Sequence, residues 1–260
     1  MSFLETNFTI NGESNEDYGI YIVGKDSSTT NQQFGVTSKA VRDKIKYRDE
    51  PYSMGFERDI YNIQISMAKI EDDNLDYTYE DRISITRWLK GKDKFVEFIS
   101  EDSPLVYYLH FNSGDFENLG RNQGVVTFDC EMQYPYAMSE MLYTNEDLSD
   151  NTSSTNLTMV NNSNVIDYYY PMMEFTLVGT NTSFKIINHS NNGEVFEFTG
   201  LTIGETICID NLNKRIKSSL GIARLTNFNK KWFNLIYGQN DVEVFGACIL
   251  DMKYQFPISL

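Results

Sequence analysis

Short runs in which apolar and polar residues alternate recur along the whole chain and predict a mainly β fold. Across residues 58–68, the apolar side chains of Ile63, Ile65 and Met67 share one face, a period of two that is typical of a half-buried strand. The aromatic and β-branched residues in these runs suit a pleated surface. The other predicted strands span residues 8–10, 18–23, 95–99, 106–111, 125–130, 174–178, 183–188, 195–198, 206–210 and 242–247.

One segment, residues 79–90, has the pattern of an α-helix instead. Acidic residues lie in its first turn, Lys90 lies in its last turn, and Gly91 is placed to end it. Its apolar side chains form a stripe that is either a ligand platform or, as we favour, the face that packs on a sheet. The stripe consists of Ile85, Trp88 and Leu89, with Ile83 nearby.

A polar stretch in the middle of the chain predicts a division into two domains. Residues 145–164 are rich in Asn, Ser, Thr and acids, a composition typical of linkers and mobile loops. We therefore predict an N-terminal β domain at residues 1–140, which includes the helix, and a polar linker or loop at 141–165. A C-terminal β domain follows at residues 166–260.

The chain is strongly acidic, and this limits its partners. Its 260 residues include 22 Lys and Arg against 37 Asp and Glu, which gives a formal net charge of −15. A protein that coats DNA or an anionic membrane needs a basic face, so both roles are disfavoured. One basic cluster is either a solvated loop balanced by nearby acids, as we favour, or a contact to an acidic subunit or partner. It consists of Lys39, Arg42, Lys44, Lys46 and Arg48, and the nearby acids are Asp43, Asp49 and Glu50.

The sequence predicts neither a secretory signal nor a membrane span. The first ten residues lack a basic leader and an apolar core, and the longest apolar run, residues 244–250, is far shorter than the roughly 20 residues of a membrane-spanning helix. The cysteines Cys130, Cys208 and Cys248 are odd in number and lie among β-forming residues. We therefore expect buried free thiols in a protein made in a reducing cytoplasm.

No pattern typical of catalytic, cofactor-binding or metal-binding residues is present, and we predict that the protein is not an enzyme and needs no cofactor. His110 lies in an alternating strand and His189 in a loop of Asn and Ser, with no local pattern of a nucleophile beside either. The calcium-like string at residues 72–77 has Tyr77 where such a loop needs glycine, and Ile83 where it needs a bidentate glutamate.

Aromatic residues of the second domain leave glycan binding as an open interpretation. The candidates are Tyr168, Tyr169, Tyr170 and Trp232, because an exposed aromatic ring offers an apolar face to a sugar. Trp232 lies between basic residues and an apolar segment, which favours a place in the core or at its rim. The tyrosine run also fits the edge at which the second domain begins.

Five groups of residues follow one another along nearly the whole chain. They are Phe8-x-x-Asn11-Gly12 with Asp17-Tyr18-Gly19-Ile20; the alternating strand after Phe56-Glu57-Arg58 with the helix ending in Trp88-Leu89; Val125-x-x-Phe128-x-Cys130 with Tyr134-Pro135-Tyr136; Gly204-Glu205-Thr206-Ile207-x-Ile209-Asp210; and Phe233-x-Leu235-x-x-Gly238-x-Asn240-x-Val242-x-Val244. In this order they resemble the distal tail protein family of long-tailed (siphovirus-type) bacteriophages. Two departures are Tyr237, where the family usually has proline, and the three residues between Cys130 and Tyr134.

The resemblance implies a structural role in the virion, at the tail tip, after assembly in the host cytoplasm. The first domain would form a homo-oligomeric ring, a hexamer, and the second would be a galectin-like β-sandwich outside it. The ring would join the tail tube to tail-tip or baseplate proteins and leave a channel through which DNA passes without specific binding. The alternative is a soluble carbohydrate-binding β-sandwich module. A hexamer in solution supports the first function, and a monomer that binds cell-wall polysaccharide supports the second.

Overall fold

The computed structural model describes residues 7–23, 38–60, 62–70, 76–90, 93–101 and 103–259. Over these residues the chain is mainly β with a single α-helix, which confirms the predicted fold class. It divides into two compact units, one of Met1–Ser139 with Ser259–Leu260 and one of Glu140–Ile258. The two units are described separately below.

The N-terminal unit is built on one antiparallel sheet. The strands of this unit are β1 (Phe8–Ile10), β2 (Glu13–Ser14), β3 (Ile20–Ile22), β4 (Ser38–Asp43), β5 (Tyr52–Arg58), β6 (Asn62–Lys69), β7 (Val96–Ser100), β8 (Val106–Gly120), β9 (Gln123–Met132) and β10 (Ala137–Met138). The order across the sheet is β2-β1-β7-β8-β9-β6-β3, with β10 pairing to β8. A short 3-10 helix spans Asn15–Tyr18. Strands β4 and β5 form a separate two-stranded sheet.

The helix α1 (Tyr79–Lys90) has the bounds that its sequence pattern predicts. Thr78 begins it as a cap, because its hydroxyl accepts a hydrogen bond from the Asp81 backbone while the Asp81 carboxylate accepts one from the Thr78 backbone. Trp88 is buried and stacks on Tyr18, with ring centroids 4.2 Å apart. The apolar stripe is therefore a packing face, as favoured from the sequence. Gly91, the predicted stop, lies outside the described residues.

The C-terminal unit is a β-sandwich. Its strands are β11 (Leu142–Leu148), β12 (Ser154–Asn161), β13 (Tyr168–Tyr169), β14 (Met172–Leu177), β15 (Phe184–Asn188), β16 (Glu194–Phe198), β17 (Thr206–Asp210), β18 (Arg215–Ser218), β19 (Leu235–Ile236), β20 (Gly238–Phe245), β21 (Cys248–Tyr254) and β22 (Pro257–Ile258). One sheet has the order β11-β21-β14-β17-β18 and the other β12-β20-β15-β16, while β13 pairs with β19.

Phenylalanine rings join the two sheets of the sandwich. Phe175 of β14 stacks on Phe184 of β15 with ring centroids 3.9 Å apart, and both side chains are fully buried. Phe196 and Phe198 of β16 extend the same core toward Phe228. Because alternate residues of each strand point into this core, the period-two pattern of the sequence is reproduced in the burial of the strands.

The predicted polar linker at residues 141–165 is wrong. Most of this segment forms β11 and β12, which pair along their whole lengths with β21 and β20. Each is the edge strand of its sheet, so few of its side chains are buried. The polar residues Asn145, Asp147, Asn156 and Thr158 are among those exposed. The C-terminal unit therefore begins at Glu140 and not near residue 166.

A buried ion pair anchors the irregular segment after β18. The Arg224 guanidinium donates to both carboxylate oxygens of Glu205, at 2.9 and 2.6 Å, and Glu205 is 0% exposed. The Ser218 hydroxyl and the Thr202 backbone amide donate to the same carboxylate. Burial opposes the ionisation of Glu205, but the hydrogen bonds from Arg224, Ser218 and Thr202 outweigh it and lower the pKa to about 2.

This lowered pKa predicts a dependence of stability on pH. The ionised Glu205 stabilises the fold above its ordinary pKa of about 4.5, and the contribution disappears as the pH falls from there toward about 2. We expect the unfolding free energies of the wild type and the Glu205→Gln variant to differ most near neutral pH and to converge below about pH 4.5. Urea titrations of both proteins at a series of pH values measure this difference. A constant gap down to the lowest pH at which both still fold would contradict it.

Candidate functional site

The β4–β5 hairpin is the most exposed regular element of the N-terminal unit. Within the described residues, β4 and β5 pair only with each other. Large apolar side chains project from the strands and their connection: Tyr47 is 95% exposed and Phe56 74% exposed, and the others are Ile45, Tyr52 and Met54. A two-stranded hairpin is only marginally stable by itself, and a concentration of exposed apolar side chains marks an interaction surface. We call these five side chains the hairpin patch.

The basic cluster lies on the same hairpin, partly in a strand and partly in the connecting loop that the sequence favours. Lys39 and Arg42 belong to β4, and the remaining members lie in the connection to β5. Five of the residues from 39 to 48 are basic and only Asp43 is acidic. No ion pair to these five basic groups occurs within the described part of the chain, so the acids nearby do not neutralise them directly.

The four aromatic candidates of the C-terminal unit have different environments. Tyr168 and Tyr170 line an open cleft of about 490 Å³. Tyr169 points inward, where its hydroxyl accepts a hydrogen bond from the Gln255 backbone and burial raises its pKa. Trp232 packs edge-on against Phe228 at the margin of the core, with ring centroids 4.9 Å apart, as its sequence context favours.

The cysteines are free thiols with raised pKa values. Cys130 and Cys248 are fully buried, and burial raises the pKa of each to about 12. Cys208 departs from the prediction because it is only partly buried; its sulfur donates to the Glu174 carboxylate, and its pKa is raised to about 11 first by burial and then by that acid. A thiol with so high a pKa is a poor nucleophile at neutral pH.

The two histidines lie in different units. His110 contacts Phe95 edge-on in the N-terminal unit, whereas His189 of the C-terminal unit forms an exposed contact of 2.9 Å to Glu243. Tyr77, at the glycine position of the calcium-like string, is buried against Phe116. Residues 72–75 of that string lie outside the described residues.

No cluster of His, Cys, Asp or Glu suited to a metal ion is found among the residues that the structure describes. Over the same ranges, no helix has both the length and the apolar character needed to cross a membrane.

Comparison with known proteins accounts for almost the whole chain. Residues 3–132 match the family described as "Phage tail protein N-terminal domain", and residues 136–254 match "Phage tail C-terminal domain". The chain belongs to this phage tail protein family. The two matches meet near the point at which the structure divides into its two units.

A curated relative and two solved structures are similar over nearly their full lengths. The SPbeta prophage-derived uncharacterized protein YomH of Bacillus subtilis (strain 168) is 23% identical over 252 residues, which cover 96% of each chain. The crystal structure of the Dit protein of phage SPP1, titled a paradigm of the hub adsorption apparatus in phages that infect Gram-positive hosts, has a TM-score of 0.63 at 12% identity and covers 96% of this chain and 99% of that one. A chain of the phage P2 baseplate in its activated conformation with Ca has a TM-score of 0.51 at 10% identity, with 97% and 98% covered.

These findings confirm the resemblance to distal tail proteins. The family matches identify a phage tail protein, and the similarity to Dit shows that the two proteins share a fold. The buried ion pair had no separate signal in the sequence: Glu205 belongs to one of the five groups of residues that carry the resemblance, but its partner Arg224 lies 19 positions further along the chain. The hairpin patch was missed because its strands have no buried face.

Proposed function

We propose that this phage tail protein is the structural hub of a tail tip or baseplate. In this proposal six copies form a closed ring that joins the tail tube to the tail-tip and host-adsorption proteins and leaves a channel for DNA. The similarity to the SPP1 Dit protein supports a hub role, and the hairpin patch is the feature of this chain that carries the proposal of self-association. The role is structural and needs no catalytic group.

The hairpin patch supports self-association through its apolar area. Phe56 and Tyr47 are far more exposed than is usual for large aromatic side chains. Tyr52 and Met54 belong to the same strand as Phe56 and are also exposed. Covering these rings with a neighbouring copy removes apolar surface from water, the main driving force of association. A hairpin that contacts a different surface of its neighbour gives a head-to-tail interface, and such an interface closes into a ring when its rotation is suitable.

The charges of the hairpin also support a second copy of the chain as its partner. The five basic groups of the cluster project from a chain whose formal net charge is −15, so a second copy offers them an acidic surface. Opposite charges at an interface accelerate association and fix its orientation. Because such contacts are screened over about 8 Å at physiological salt, the ring is expected to be more stable at low salt than at high salt.

Light scattering on the full-length protein tests the proposal against the alternative of a soluble carbohydrate-binding module. A hub ring has six times the 30.1 kDa mass of one chain at micromolar concentration. A mass of 30.1 kDa under these conditions would contradict self-association and favour the module.

The acidic composition predicts weak binding of DNA. A channel that held phosphates through many Lys and Arg contacts would slow the passage of a genome, whereas an acidic or neutral wall repels the duplex. We expect fluorescence anisotropy with a short duplex at about 150 mM salt to give a Kd weaker than about 10⁻⁴ M. Replacing Lys44 and Lys46 by alanine is expected to leave the result unchanged. Tight, salt-sensitive binding that these substitutions abolish would overturn the proposed role of the basic cluster.

A further inference from the structure

We propose that the open cleft of the C-terminal unit binds a neutral sugar, a hexose or N-acetylhexosamine of a glycan chain. The cleft has a volume of about 490 Å³, which is enough for one or two sugar rings. Tyr168 and Tyr170 line it together with Asn191, Asn192, Gly193, Glu194, Lys231 and Asn234. This combination of aromatic rings, amides and a carboxylate suits a ligand that has both an apolar face and many hydroxyl groups. The inference does not depend on ring formation.

The tyrosines supply the apolar part of the site. Tyr168 and Tyr170 reach the cleft because successive side chains of an extended segment point to opposite sides, and Tyr169 between them points inward. Tyr168 is 52% exposed although it belongs to β13, which pairs with β19. An aromatic ring held by a strand offers a rigid surface for the C–H face of a sugar and loses little conformational entropy on binding.

Polar side chains that also line the cleft form a hydrogen-bond network that is already in place. The Glu194 Oε2 atom accepts hydrogen bonds from the side-chain amides of Asn191 and Asn234, at 2.8 and 3.0 Å. The Asn191 amide also donates to the Asn234 Oδ1 atom at 3.0 Å. These bonds fix the orientation of the carboxylate, so a ligand does not have to order it on binding.

The turn between β15 and β16 contributes part of this network to the lining of the cleft. Asn192 and Gly193 both have left-handed backbone conformations, with φ of 52° and 66°. This is the geometry of a tight hairpin turn, as the Asn-Gly pair predicts. Asn191 precedes this Asn-Gly pair and Glu194 follows it, and both side chains line the cleft together with Tyr168 and Tyr170.

Groups with hydrogen-bonding capacity remain for a ligand. The Glu194 Oε1 atom accepts no hydrogen bond, and the Lys231 ammonium group has no partner, within the part of the chain that the structure describes. The Glu194 carboxylate is a hydrogen-bond acceptor and the Lys231 ammonium group is a donor. A sugar hydroxyl can pair with either, because it both donates and accepts hydrogen bonds. Their opposite charges cancel within the cleft, so a neutral sugar suits it better than a polyanion does.

Glycan-array binding of the full-length protein, followed by calorimetric titration, tests the inference. The array carries neutral and acidic oligosaccharides of hexoses and N-acetylhexosamines. We expect retention on neutral members, and the neutral oligosaccharide with the strongest signal is then titrated. Tyr168→Ala and Tyr170→Ala are each expected to weaken its binding about fivefold to tenfold, because each removes one aromatic contact. Tyr168→Phe, which keeps the ring, is expected to retain most of the affinity.

Matched controls separate the cleft from other causes of lost binding. Tyr143 is an exposed tyrosine on β11 of the same unit, outside the cleft, and Tyr143→Ala is expected to bind as the wild type does. Circular dichroism and light scattering of each variant establish that fold and oligomeric state are unchanged. The inference is overturned if no neutral glycan binds, if only acidic glycans bind, or if Tyr168→Ala and Tyr170→Ala bind as tightly as Tyr143→Ala. None of these outcomes bears on whether the protein forms a ring.

Discussion

Replacing Phe56 by glutamate is expected to convert the proposed ring into monomers at micromolar concentration. Phe56 is the most exposed apolar residue on the strands of the hairpin, and in the proposed ring its phenyl group is buried against a neighbouring copy. Truncating a central aromatic anchor of an interface typically costs about 2–4 kcal/mol, which weakens each contact roughly 30-fold to 1000-fold. A buried carboxylate adds a desolvation penalty. Sedimentation velocity or light scattering across a concentration series measures the loss.

Two further variants show whether this loss is specific. Tyr79 is 79% exposed at the first residue of α1 in the same unit, and an acid near a helix N-terminus is well tolerated. Tyr79→Glu therefore introduces the same charge away from the hairpin and is expected to leave the oligomer intact. Phe56→Leu keeps an apolar side chain and is expected to retain most of the association. A Phe56→Glu protein that still sediments as the wild-type oligomer would exclude the hairpin patch as the subunit interface.

Arg224→Met is expected to lower the free energy of unfolding of the C-terminal unit by about 3–5 kcal/mol, since it leaves the Glu205 carboxylate buried without its cation. The chain has two tryptophans, and each lies in a different unit. In a Trp88→Phe background, the fluorescence of Trp232 therefore reports the unfolding of the C-terminal unit alone. Urea titration in this background measures the change.

The ion pair also predicts how a second substitution compensates. Removing both charges, in Glu205→Met with Arg224→Met, is expected to recover at least about half of the lost stability, because no buried charge remains. Arg215→Met changes an exposed arginine of β18 and is expected to shift stability by less than about 0.5 kcal/mol. An Arg224→Met variant that loses no more than Arg215→Met would mean that the pair does not anchor the segment after β18.

Elements that bury one face were predictable from local sequence. The helix at Tyr79–Lys90 combines an apolar stripe with acids in its first turn and a base in its last, and the structure has the same bounds. Strands such as β6, β15 and β17 alternate strictly between buried and less buried residues, so a period of two identifies them. In these segments the propensity of the residues and the packing of the unit favour the same conformation.

Elements without a continuous buried face were not predictable in this way. Strands β11 and β12 are edge strands whose backbone pairing to β21 and β20 defines them, and a polar composition resembles that of a linker. The β4–β5 hairpin is exposed on both faces, so its apolar residues follow no core. The cleft and the Glu205–Arg224 pair join segments that are distant in sequence, and only the folded sandwich brings them together.

Electron microscopy of the purified full-length protein tests the central claim most directly. The account predicts closed rings of six copies around an open channel, with the β4–β5 hairpin of each copy in contact with its neighbour. Carboxylates or neutral groups, and not the basic cluster, are expected to line the channel. Monomers, open filaments, or a ring that leaves Phe56 in solvent and lines its channel with Lys44 and Lys46 would contradict it.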